Sequence, residues 1–236
     1  MDNYWTPIEL QWAIEHRDAL KELEDVCART HALVAGVAQH ADFVSRPSTA
    51  SVAVQRLLLR RLGEELRGVE LLALKGHGFQ AISAAANLFE QSHFLTYAAS
   101  SDAVAEKYLA WSDPTKSIAS VKTVVEKSGA ERGWDTARID EEYGKYSFLC
   151  GFKHNNAVMQ RILTLPQNPD LVLGQLALSE SVWFVLTTMG LLAIRTLGPL
   201  ATAETINTCN VLMDAVQPLY PTLNVAGSAA TPSASS

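Results

Sequence analysis

Apolar residues recur every third or fourth position through most of the chain, and no stretch alternates cleanly as a half-buried strand would. No Asn-Gly or Asp-Gly hairpin turn occurs either. Thr6-Pro7-Ile8-Glu9 is a capping box with proline at the first helical position, and it predicts a long helix reaching about residue 43. Ser45-Arg46-Pro47-Ser48 breaks it. A second helix over about 48–75 carries a leucine face (Leu58, Leu62, Leu66, Leu72) and stops or kinks at Gly76-His77-Gly78. A third helix follows to about residue 99. Ser101 or Asp102 caps a short helix ending near Trp111, and Asp113-Pro114 launches another to about 127. Residues 128–133 read as a loop. Asp135 caps a helix extended to about 165, and Asn168 caps a long apolar helix to Leu197. Gly198-Pro199 ends that helix, and a last one covers about 202–219. The pattern predicts one all-α, bundle-like domain of about seven to eight helices over residues 1–220, with a small, polar, disordered tail over 221–236.

The helix after Gly78 is apolar nearly all round. Phe79, Ile82, Ala86 and Phe89 mark one side, and Ala81, Ala85, Leu88 and Leu95 another. Such a helix belongs among other helices. It nevertheless carries Asn87, Glu90 and His93 at neighbouring surface positions. A buried carboxylate and imidazole are costly without partners, so this helix predicts a polar centre inside the fold.

Bulk properties narrow the classes. The 236 residues are 48% hydrophobic and 19% charged, with a formal net charge of -6, which argues against broad non-specific nucleic-acid binding. Three scattered cysteines (Cys27, Cys150, Cys209) fit a reducing cytoplasm better than a disulfide framework. No basic start precedes an apolar run near the N-terminus, so no signal peptide is expected. The most apolar stretch, 181–194, is 14 residues against the roughly 20 that span a bilayer, and reads as a core helix with no membrane span.

Three constellations carry candidate chemistry. Glu90-Gln91-Ser92-His93 is an E-x-x-H step, whose two side chains can reach one ion; di-iron bundles use the step twice. It occurs once here, with Glu65 or Glu70 as conceivable further ligands, and a buried hydrogen-bond network is the preferred reading. No metal and no cofactor is assigned. The second is Tyr143, Ser147, Cys150 and His154, at steps of four, three and four along one helical stripe. If that stripe faces the first, then Glu90, His93, Tyr143 and His154 share one pocket, where a glutamate-held histidine is a usable acid/base. The alternative is a polar tie between two core helices. The third is the run of Arg56, Arg60, Arg61 and Arg67 with Glu64, Glu65 and Glu70 interleaved, which reads as an ion-paired solvated face. His16, His31 and His40 receive no role.

The first two stretches resemble a bacterial all-α family described as domain of unknown function 5677. The likeness rests on Gly76 to Gly78, on the small-residue run from Ala84 ending in Leu88-Phe89-Glu90, and on Tyr143, Ser147 and His154. It implies a helical domain without a settled activity. Such families are compared with HEPN domains, helical ribonucleases of bacterial defence systems, in which an arginine precedes a histidine by four to six residues. No arginine stands at that distance before His154 or any other histidine. Three functional expectations follow. The leading one is a cytoplasmic helical protein whose polar cluster is structural or binds a small ligand. The others are a HEPN-like, metal-independent ribonuclease using His154, with RNA as its substrate, and a metalloprotein using Glu90, His93 and His154. An unknown protein partner is open, as is a homodimer through the first helix or the apolar one.

Overall fold

The computed structural model describes residues 6–112, 119–153 and 168–221. They form nine α-helices and one turn of 3-10 helix, with no strand among the described residues. The helices are α1 (Pro7–Gln39), α2 (Ala41–Val44), α3 (Ala50–Leu74), α4 (Gly78–Ala98) and α5 (Asp102–Leu109), then α6 (Val121–Glu131), α7 (Thr136–Lys153), α8 (Pro169–Thr196) and α9 (Pro199–Val216). Eight of them have seven or more residues, so the all-α expectation is met.

The predicted starts hold where a side chain satisfies the orphan backbone donors of a first turn. Thr6 Oγ1 accepts from the Glu9 amide at 3.2 Å, and Glu9 Oε2 accepts in return from the Thr6 amide at 2.6 Å. Asn168 Oδ1 accepts from the amides of Asp170 and Leu171 at 3.1 and 3.4 Å. Asp135 accepts from Arg138 N at 2.8 Å. Three boundaries differ. The first helix stops at Gln39, where His40 leaves helical geometry and its ring accepts from the Asp42 amide to start α2. The helix expected from Asp113-Pro114 starts instead at Val121 behind the cap Ser120; Asp113 and Pro114 lie outside the described residues. Ser128 to Glu131, read as loop, are the last turns of α6. The stretch 154–165 and the tail 222–236 also lie outside the described residues.

Helices α3, α4 and α8 pack on one another to make the centre. Ala81, Ala85 and Ala86 of α4 are fully buried, and these small side chains let the neighbouring helices come close. α1 lies on α3 and α8, α9 on α8 and α1, α5 on α3, and α6 and α7 cover the remaining side of α4. At the α4 start, Gly78 N donates to Asp170 Oδ1 at 3.0 Å, and a Cβ on Gly78 would stand 2.3 Å from the Asp170 carbonyl oxygen. That approach is why glycine opens the central helix. α8 runs 28 residues, twice the apolar stretch read from the sequence, and is long and apolar enough by composition to cross a membrane. However, 67% of its most apolar window is buried inside the fold, with Leu173, Val182, Phe184 and Leu186 almost fully enclosed. It is the core helix of the bundle.

Candidate functional site

The polar centre expected from α4 exists, and His93 is its middle. The His93 side chain is fully buried, as is Ser128 of α6, and Glu142 of α7 is 1% exposed. His93 Nδ1 lies 2.5 Å from Ser128 Oγ, and Nε2 lies 3.5 Å from Glu142 Oε1. At that length the second contact is an electrostatic approach rather than a formed hydrogen bond. Ser128 Oγ has one hydrogen, with the Val125 carbonyl at 3.2 Å and His93 Nδ1 at 2.5 Å as alternative acceptors. The ring hydrogen therefore sits on Nε2 when the serine turns to Nδ1, and on Nδ1 when the serine donates to Val125. The ring packs on Phe89 at 4.3 Å between centroids and meets the edge of Trp134 at 6.0 Å.

Burial pulls the His93 pKa down to about 4, against the pull of Glu142, so the imidazole is neutral at neutral pH. For Glu142, burial acts upward, but His93 and the nearby Lys145 and Arg132 outweigh it and hold the carboxyl below its ordinary value. Its other oxygen lies 3.8 Å from both Arg138 and Lys145. Arg132 reaches across from the end of α6. Its guanidinium donates to Thr188 of α8 at 3.0 Å and Thr96 of α4 at 3.4 Å, and sits 4.9 Å over the Trp134 ring. Burial lowers its pKa to about 10, which leaves it charged. On the α8 side, burial pushes the Glu180 carboxyl up to about 7, with Lys145 opposing and Glu142 adding to the rise.

The sequence-derived candidates divide. α4 and α7 do meet, but not through the predicted stripe. Tyr146, not Tyr143, donates to Glu90 Oε1, at 2.9 Å. Glu142, Tyr146 and Leu149 form the inward stripe at steps of four and three. Ser147 is solvent-exposed and donates to the Tyr143 carbonyl. Tyr143 is half-buried, its ring 6.0 Å from that of Tyr146. Among the described residues Glu90 thus meets Tyr146 while His93 meets Ser128 and Glu142, and His154 lies outside them. Asn87 is exposed. Glu65 pairs with Arg61, and Glu70 with Arg67 and His31, so neither faces Glu90. Among the described residues no three His, Cys, Asp or Glu side chains gather to hold a metal. Arg60, Arg61 and Arg67 of α3 are ion-paired with Glu64, Glu65 and Glu70 as read, with Arg60 2.7 Å from Glu64, whereas Arg56 of the same run pairs with no carboxylate among the described residues.

Ser128, Arg132 and Glu142 were not singled out from the sequence. Ser128 and Arg132 sit in a stretch whose composition resembles a turn. Yet Gly129 is there because the α6 end presses on α7: a Cβ would stand 2.7 Å from Ile139 Cγ1. Glu142 was hidden in the acidic run Asp140-Glu141-Glu142, which looks like solvated surface. The step from Glu142 to Tyr146 and Leu149 was the signal available. The histidines left without a role have local ones: His16 stacks on Trp12 and meets Asn168 at 3.1 Å, and His31 lies 3.4 Å from Glu70.

No protein-family description, no characterised protein and no solved structure matches this chain.

Proposed function

We propose that this chain is a cytoplasmic helical binding protein without catalytic activity, and that His93, Ser128 and Glu142 form a structural tie joining α4, α6 and α7. The observation that carries this reading is enclosure: all three residues are at most 1% exposed, so no phosphodiester or other substrate reaches the imidazole. A histidine with a pKa near 4 is also a poor proton carrier at neutral pH. Among the described residues Ser128 has no base free to activate it toward an outside electrophile, since the imidazole touching it is sealed in with it. The unpaired thiols of Cys27 and Cys209, buried in the core, support a reducing compartment.

The test is incubation of the purified full chain with a mixed RNA pool, with and without chelator, beside His93→Gln and His154→Ala. The reading expects intact RNA throughout and a lower melting temperature for His93→Gln. Cleavage that disappears in either variant overturns it, and chelator sensitivity of that cleavage moves the assignment to a metal site.

A further inference from the structure

An opening lies away from the polar centre, between α1 and α3. It is an open groove of about 690 Å³. Its floor is Val34 and Ala38 of α1, Phe43 of α2, and Leu59 and Gly63 of α3. Small residues make it hollow: a Cβ on Gly63 would meet only Val34 Cγ1, at 3.8 Å. Along its α3 edge stand Arg56, Arg60 and Arg67, with Glu64 as the one acid among the lining residues. Positions 56 to 67 are one helical face about 16 Å long. The facing wall has no acid, because residues 26–41 contain no Asp or Glu. On a protein of net charge -6 this is a cationic rim over an apolar floor.

The three arginines are not equivalent. Arg60 is held by Glu64 at 2.7 Å and Arg67 by Glu70 at 2.6 Å. Arg56 pairs with no carboxylate among the described residues; its Nη2 donates to the Val44 carbonyl at 3.4 Å, at the α2 end of the groove. A guanidinium presents five donors in a fork that matches a carboxylate or phosphate. The floor of Val34, Ala38, Phe43 and Leu59 gives room for hydrocarbon, and His31 is the polar lining residue of the α1 wall. The volume falls in the range typical of small-molecule sites.

We propose that this groove binds a single-chain anionic amphiphile, with the acyl chain over Val34, Leu59 and Gly63 and the anionic head on Arg56. The assignment rests on the reading of the chain as a binding protein and names the ligand class. The ligand is a free single-chain carboxylate, and the vesicle arm of the experiment detects the contrary case of a membrane surface.

The full chain is titrated calorimetrically with sodium dodecanoate below its micelle concentration, with dodecyltrimethylammonium and acetate as controls. In parallel it is sedimented with vesicles of phosphatidylcholine alone and with added phosphatidylglycerol. Variants are Arg56→Gln, Gly63→Leu and, on the facing wall, Ala35→Leu, each checked for an undiminished melting temperature. Expected is dodecanoate binding that weakens about tenfold or more in Arg56→Gln, as loss of a charge-assisted contact should give. It should be lost in at least one folded groove-filling variant. Phosphatidylglycerol-dependent sedimentation without dodecanoate binding overturns the proposal, because that lipid brings two acyl chains and a membrane surface. The proposal is also overturned if dodecanoate does not bind, if binding survives all three substitutions, or if the cationic amphiphile binds equally well. Such a failure leaves the non-catalytic reading standing; only His93- or His154-dependent RNA cleavage removes that.

Discussion

Tyr146 donates a 2.9 Å hydrogen bond to Glu90, and this pair fixes how α7 is rotated against the central helix. Burial, with Cys150 and Glu90 close by, raises the phenol's pKa, so it keeps its proton and remains the donor. Turning α7 by one position would put Ser147 in the place of Tyr146 and Tyr143 in that of Glu142, and so expose Glu142. Tyr146→Phe should therefore cost about 1 kcal/mol, the net value of one hydrogen bond. Tyr143→Phe, which breaks no hydrogen bond to Glu90, should stay within about 0.5 kcal/mol. Urea denaturation of both variants checks this. Equal losses would mean that the rotation of α7 is misassigned.

The tie around His93 joins three helices, so its loss should be felt as a unit. His93→Leu keeps the packing on Phe89 but leaves Ser128 and Glu142 without their ring partner. It should cost about 1–3 kcal/mol, the penalty of a buried polar group left unpaired. Ser128→Ala should cost less alone and almost nothing in the His93→Leu background. A double-mutant cycle measures that coupling, and strict additivity would show that the 2.5 Å contact contributes nothing.

Much of this architecture was legible in the chain because helix starts are local. Thr6, Asp135 and Asn168 each satisfy donors one turn away, and short sequence windows contain everything that decides them. The polar centre was half legible. His93 on an otherwise apolar helix had to be buried with partners, but the partners were chosen by tertiary packing. Sequence periodicity shows that α7 has an inward face without saying which one. Tyr143, Ser147 and Cys150 looked the more chemical stripe, whereas the helix buries Glu142, Tyr146 and Leu149, rotated by about 100° from it. Gly129 was misread for a similar reason. A glycine in a polar stretch suggests a turn, and only the nearness of Ile139 reveals it as a contact point inside a helix.

The buried His93 and the half-buried Glu180 give stability opposite pH slopes. His93 titrates at about 4 in the folded chain against 6.5 unfolded. The unfolded chain therefore binds the extra proton between these values, and this contribution is complete above pH 6.5 and lost as the pH falls toward 4. Glu180 titrates at about 7 folded against 4.5 unfolded. The folded chain keeps the proton, so this contribution is complete below pH 4.5 and lost as the pH rises through 7. Each spans up to about 3 kcal/mol. The wild-type profile should thus be shallow between pH 4.5 and 6.5. Glu180→Gln should steepen the acid side and flatten the neutral side, as read by denaturation at half-unit steps from pH 4 to 8. A profile unchanged in shape would mean that one of these groups is not enclosed as described.

Glycine substitutions separate helix propensity from close packing. Gly68 lies inside α3, and a Cβ there would meet nothing within 4 Å. Gly68→Ala should stabilise the protein by about 0.5–1 kcal/mol, since glycine loses more backbone freedom on folding than alanine. Gly78 is also followed by helix, but its added Cβ would stand 2.3 Å from the Asp170 carbonyl oxygen, a backbone atom that no rotamer change can move. The N-terminal ends of α4 and α8 would have to part, stretching the 3.0 Å bond from Gly78 N to Asp170 Oδ1. Gly78→Ala should cost about 3 kcal/mol, the upper range for overpacking a core. Melting temperatures of the two variants should move in opposite directions. A neutral Gly78→Ala would show that the starts of α4 and α8 are not in contact, and the placement of the whole central helix would have to be revised.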